Sequence, residues 1–235
     1  MTRPAPRPGR QTAHRFTGKR PPAPRLNYLL FVPAGYDADP RRRWPLLLFL
    51  HGSGERGGPV RQVQKHGPPG LVAQQPDFPF ILVSPHCPAH RVWEPAPLLA
   101  LLDHVMSHHR VDRRRVYLTG MSMGAYGGWQ LVAAQPQRFA AFVPVCGGGD
   151  VLPLLLAPPA RERALRSLPV WAFHGARDEL VPVAESERML GAMRHLGATD
   201  VRLTVYPDAG HDAWTQTYAN PKLYEWLLAQ RRTRG

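Results

Sequence analysis

Apolar residues in this chain come in short dense blocks set between longer amphipathic stretches. Residues 44–50 (WPLLLFL), 78–84 (FPFILVS) and 139–146 (FAAFVPVC) are nearly continuous apolar runs. Runs of this length without polar alternation predict strands covered on both faces. Residues 26–33, 115–119 and 169–173 add three more strands, and 201–206 (VRLTVY) alternates as a strand should. Residues 98–109, 125–134, 184–196 and 223–229 read as helices between and after them. Strands alternating with helices at this spacing predict an α/β chain with a doubly wound, mostly parallel sheet. The longest connections, 53–77 and 147–168, are too short for a cap domain, so an open site served by loops is expected.

In an open parallel sheet the ligand crevice lies beyond the carboxyl ends of the strands. The unusual chemistry of this chain collects there. Residues 120–124 (GMSMG) follow one strand and open into a helix, the arrangement called a nucleophile elbow in α/β-hydrolases. The turn is tight, so its flanking residues must be small, and the helix N-terminus favours developing negative charge at Ser122. Asp178 follows the 169–173 strand and His211 follows the 201–206 strand, which completes the chain order Ser, Asp, His used by this fold. A serine hydroxyl needs an imidazole to accept its proton, and the imidazole needs a carboxylate to fix its tautomer. Glu179, Asp208 and Asp212 compete with Asp178 for the acid, and His174 competes with His211 for the base. The oxyanion donors are expected to be the backbone N–H of Met123 and that of Ser53, in the loop HGSG after residue 50. Trp93, Trp129, Trp214 and Asp150 are the side chains expected to approach substrate.

Composition adds a charge question. The net charge of +13 suggests nucleic acid, yet residues 1–25 hold seven Arg/Lys and no acid, and 231–234 hold three Arg. Those ends supply +10 and leave +3 for the body, with 20 basic residues against 17 acidic. No nucleic-acid surface is expected. The partition is a disordered Pro/Arg-rich arm over 1–25, a catalytic domain over 26–230 and a basic tail over 231–235. No apolar run reaches the ~18 residues of a membrane span, and the first residues lack an apolar signal core, so a cytoplasmic protein is expected. Cys87 and Cys146 are in no C-x-x-C pair, and no Cys/His cluster has metal-ligand spacing.

The stretches LLLFLHGSGERGG, VSPHCP, VYLTGMSMGAYGGW, FAAFVPVCGGGD, PVWAFHGARDELVPV and LTVYPDAGHDAWTQTYANPKLYEWLL resemble the bacterial "predicted peptidase" group of α/β-hydrolases. That group is related to dienelactone-hydrolase-like, phospholipase/carboxylesterase and feruloyl or acetyl-xylan esterase proteins. The resemblance covers about residues 26–229. It implies a serine esterase acting on a small ester, with Ser122, Asp178 and His211 as triad and with no metal or organic cofactor. Serine peptidase action on short peptides, or a silent binding protein on the same fold, are the alternatives. The family strand order would put three inter-strand spacings of ~4.8 Å between the strands that end at Cys87 and Cys146. That distance implies two free thiols.

Overall fold

The computed structural model describes residues 7–18 and 25–232. Its strands are β1 (Gln11–Thr17), β2 (Arg25–Phe31), β3 (Trp44–Leu50), β4 (Ile81–His86), β5 (Val111–Met121), β6 (Ala141–Val145), β7 (Val170–Gly175) and β8 (Val201–Tyr206). The helices are α1 (Pro68–Leu71), α2 (Pro95–His108), α3 (Met123–Ala134), α4 (Leu152–Leu155), α5 (Pro159–Arg166), α6 (Ala184–His195), α7 (Trp214–Ala219) and α8 (Pro221–Ala229). One eight-stranded sheet runs in the order β1-β2-β4-β3-β5-β6-β7-β8. All pairings from β4 to β8 are parallel, and the β1–β2 and β2–β4 pairings are antiparallel.

The apolar runs explain the layering. Along β3, Leu46, Leu48 and Leu50 join one core while Leu47 and Phe49 join the other. Side chains alternate across a strand, so a continuous apolar run is what a strand buried on both faces requires. The first core gathers α2 to α6, and the second gathers α7 and α8. The sheet is doubly wound, as the spacing predicted.

The N-terminal arm needs correction. Residues 11–17 are not a free extension but the outermost strand, paired antiparallel from Gln11↔Phe31 to Thr17↔Arg25. Phe16 is buried and its ring lies 5.2 Å from that of His104 on α2. Arginine and proline around this segment hide a period-2 pattern, and polar residues on an edge strand are ordinary. Residues 1–6, 19–24 and 233–235, the rest of the expected arm and tail, lie outside the described residues. At the other end, Arg231 pairs with Asp112 at 2.8 Å and the Arg232 N–H donates to the Arg114 carbonyl. Cys87 and Cys146 are free and buried. Among the described residues no helix is long and apolar enough to cross a membrane.

Candidate active site

β5 ends at Met121 and α3 begins at Met123, which leaves Ser122 alone in the turn with φ 52° and ψ −122°. A non-glycine residue held at positive φ costs about 1–3 kcal/mol and persists only where its surroundings hold it. Here the Ser122 N–H donates to the Val145 carbonyl at 2.9 Å, and the N–H groups of Ala125 and Tyr126 donate to the Ser122 carbonyl. The glycines are steric requirements. A β-carbon at Gly120 would come within 2.3 Å of the Gly124 carbonyl oxygen, and one at Gly124 within 2.0 Å of the Leu50 oxygen. The second contact shows how tightly the head of α3 is set against the end of β3.

The loops after β7 and β8 converge on this serine. His211 Nε2 lies 2.9 Å from Ser122 Oγ, and His211 Nδ1 lies 2.7 Å from Asp178 Oδ2. The Asp178 side chain is fully buried, while 19% of the His211 side chain is exposed. The other carboxylate oxygen of Asp178 accepts the N–H groups of Leu180 and Val181 at 3.0 and 2.8 Å. A carboxylate so surrounded keeps one orientation. It takes the Nδ1–H of His211 and leaves the Nε2 lone pair facing the serine hydroxyl. His174, the competing base, sits instead behind the acid, with Nε2 at 3.2 Å from Asp178 Oδ2 and 2.8 Å from the Val181 carbonyl. The competing acids turn away. Asp208 pairs with Arg177, Asp212 accepts the N–H and hydroxyl of Thr215, and Glu179 is exposed.

The loop after β3 closes the other side. His51 is fully buried; its Nδ1–H donates to the Gly52 carbonyl and its Nε2 accepts the Cys87 N–H. Burial lowers its pKa to about 4, opposed by the bond to Gly52 and aided by the neighbouring His86 and Arg56, so the ring is neutral. The Trp93 indole N–H donates to the His51 carbonyl at 3.0 Å. These bonds hold the loop so that a β-carbon on Gly52 would sit 3.7 Å from Ser122 Cβ. The N–H groups of Ser53 and Met123, at the heads of a short 3-10 turn and of α3, have no protein acceptor among the described residues.

The four side chains expected near substrate divide. Trp93 lines an open apolar cleft of about 450 Å³ beside Ser122, with Val92, Met123, Tyr126, Leu180 and Val181. Trp214 stands edge-on to the His211 ring at 5.3 Å. Trp129 does not reach the site: it is buried in the core and packs edge-on against Phe142 at 5.0 Å. Asp150 is exposed, and its carboxylate accepts the Leu152 N–H at the start of α4. The helical face of Trp129 and the turn role of Asp150 depend on how α3 and α4 pack, which local pattern does not reveal. A larger depression of about 550 Å³, lined by Phe139, Arg163, Ser167 and Arg231, contains none of the converging groups. Among the described residues no cluster of three His, Cys, Asp or Glu could hold a metal ion. Tyr126, Leu180 and Glu55 are neighbours of the site that sequence reasoning missed. For Glu55 the sequence carried no signal, since an acid in a glycine-rich loop reads as solvated.

A family model described as "Dienelactone hydrolase family" matches residues 90–224, more than half of the chain. A curated relative, the bifunctional acetylxylan esterase/xylanase XynS20E of Neocallimastix patriciarum, is 26% identical over 129 residues, 54% of this chain and 17% of that protein. A solved structure described as a thermostable esterase superposes with a TM-score of 0.74 at 32% identity, covering 94% of this chain and 63% of that one. A ferulic acid esterase superposes with a TM-score of 0.63 at 20% identity, covering 92% and 96%, and shows the shared fold alone. The chain thus spans about one sixth of the first relative and under two thirds of the first structure.

Proposed function

The chain belongs to the dienelactone hydrolase family, and from that premise we propose that it is a serine hydrolase cleaving small carboxylic esters through an acyl-Ser122 intermediate. The observation that carries this reading is the unbroken line from Ser122 Oγ to His211 to Asp178 at the mouth of an apolar cleft. The likeness to an acetylxylan esterase/xylanase and to a thermostable esterase supports the same reading. The acyl group lies in the cleft between Trp93, Tyr126 and Leu180. Ser122 Oγ attacks the ester carbonyl as His211 Nε2 takes its proton, and Asp178 stabilises the resulting imidazolium. The N–H groups of Met123 and Ser53 receive the developing oxyanion. His211 then returns the proton to the departing alkoxide, and a water activated by the same nitrogen releases the acid. The cycle as written calls on no metal or organic cofactor.

The test is hydrolysis of p-nitrophenyl acetate, butyrate and octanoate beside a prolyl p-nitroanilide, with Ser122→Ala as control. Ester turnover that decreases with acyl length is expected, and Ser122→Ala should lower kcat by roughly 10⁵–10⁶-fold. Cleavage of the anilide alone would transfer the reading to a peptidase. A folded protein silent on every substrate would overturn hydrolysis of simple esters.

A further inference from the structure

One buried carboxylate beside Ser122 has an oxygen without a hydrogen bond. Glu55 is 5% exposed, and its Oε2 makes no hydrogen bond among the described residues. The nearest basic nitrogens are His51 Nδ1, 3.8 Å from Oε2, and His66 Nε2, 3.8 Å from Oε1. Both are beyond hydrogen-bond range. His51 does not fill the place, because its Nδ1–H is committed to the Gly52 carbonyl. A buried acceptor left open is destabilising, and more so when it is charged, so its retention asks for a ligand.

The carboxylate is close to the reacting atoms. A β-carbon on Gly52 would lie 3.4 Å from Glu55 Oε2 and 3.7 Å from Ser122 Cβ, so the carboxylate is no farther from Ser122 Cβ than those two distances combined. A second orphan lies on the facing wall, beside His211. Trp214 Nε1 is buried and has no acceptor among the described residues. Its ring meets His211 at 5.3 Å and His66 at 5.6 Å. His66 therefore neighbours both the Glu55 carboxylate, through Oε1, and the Trp214 ring. A hydroxyl group can donate to the first and accept from the second, whereas an ammonium could serve only Glu55.

The direction follows from the chemistry. His211 protonates the leaving oxygen, so the alcohol portion must extend from His211 along Trp214 toward His66 and Glu55. We propose that Glu55 and Trp214 form a specificity-determining subsite that binds a free hydroxyl on the alcohol portion of the ester. This deepens the ester-hydrolase reading and rests on it.

The experiment compares kcat/KM for 4-hydroxybutyl acetate, 4-aminobutyl acetate and the near-isosteric pentyl acetate, each read as a ratio within one protein. The wild-type chain should favour the hydroxyl ester over pentyl acetate by about tenfold or more. That ratio should collapse toward one in Glu55→Leu, fall partway in Glu55→Gln, and fall in Trp214→Phe, which keeps the ring without its N–H. A disturbed fold would lower all rates together and leave the ratio standing, so the ratio separates recognition from structure. If both Glu55 variants fail to fold, Trp214→Phe decides. No preference in the wild type, or a preference that survives these substitutions, would overturn the subsite and leave Glu55 to a buried water. A Glu55-dependent preference for the amine would overturn the hydroxyl in favour of ammonium. If pentyl acetate and both other esters are untouched by folded wild-type protein, the ester reading itself falls, and the subsite with it.

Discussion

Two walls meet at Ser122, and they treat buried carboxylates in opposite ways. On the β7–β8 side, Asp178 is surrounded by donors: the His211 ring and two backbone N–H groups. On the β3 side, Glu55 is also buried, and its Oε2 is given no hydrogen bond among the described residues. A carboxylate whose lone pairs are filled by its own chain is fixed in place and can only position its neighbour. One whose lone pairs are open is available to something that arrives. Burial therefore does not distinguish an orienting acid from a recognising one. The hydrogen-bond accounting does.

Breaking the filled wall should have the larger effect. In Asp178→Asn the amide can present N–H₂ where His211 needs an acceptor, so Nε2 would carry the proton and could not take one from Ser122. We expect kcat on p-nitrophenyl acetate to fall by roughly 10²–10⁴-fold with little change in the far-ultraviolet dichroism spectrum. Asp212→Asn, only one residue from the histidine, should stay within about twofold in activity with little change in stability, because an amide oxygen can accept the same bonds from Thr215. The reverse pattern would move the acid to position 212.

The open wall should show itself in the acid dependence of stability. His51 takes a proton near 6.5 when unfolded and only near 4 when buried beside Glu55. Between those values the unfolded chain binds a proton that the folded chain refuses. The His51 contribution is therefore fully favourable to folding above about pH 6.5 and is lost as the pH falls toward 4, by on the order of 3 kcal/mol. Urea denaturation at pH 7.5, 5.5 and 4.5 would measure the slope, and His51→Asn should be flatter over the same window. Equal slopes in the two proteins would mean that His51 protonates in place without opening the loop.

How much of this contrast could be seen in the sequence differed from wall to wall. Ser122, Asp178 and His211 were legible because each follows an apolar run, and the chain order of three residue types narrows the choice. β3 and β8 were read to the residue, since a continuous apolar run and a clean alternation mark their own ends. β5 was read short: it starts at Val111, and the polar stretch Asp112 to Arg115 looks like a turn until Asp112 is seen pairing with Arg115 and Arg231. Glu55 was not legible. An acid in a glycine-rich loop reads as solvated, and only the fold, which sets His51 and His66 against it, removes the water. Trp129 failed for the converse reason, because a tryptophan one turn past the elbow can face cleft or core and the crossing of α3 over β6 decides.

The smallest expected effect lies farthest from both walls and tests whether the edge of the sheet is independent of them. β1 contributes one deeply buried aromatic, Phe16, which joins the core beneath α2. Phe16→Ala should cost about 2 kcal/mol, less than a central core truncation, because an edge strand can relax toward the cavity. Loss of that packing loosens the β1–β2 pairing but leaves β3, β5, β7 and β8 joined through their own parallel ladders. The denaturation midpoint should therefore fall while kcat/KM on a soluble ester stays within about twofold of wild type. If activity dropped in proportion, the edge hairpin would have to hold β4, and through Cys87 its hydrogen bond to His51, in register with the site. The open wall would then depend on a strand that looks, in sequence, like part of a charged tail.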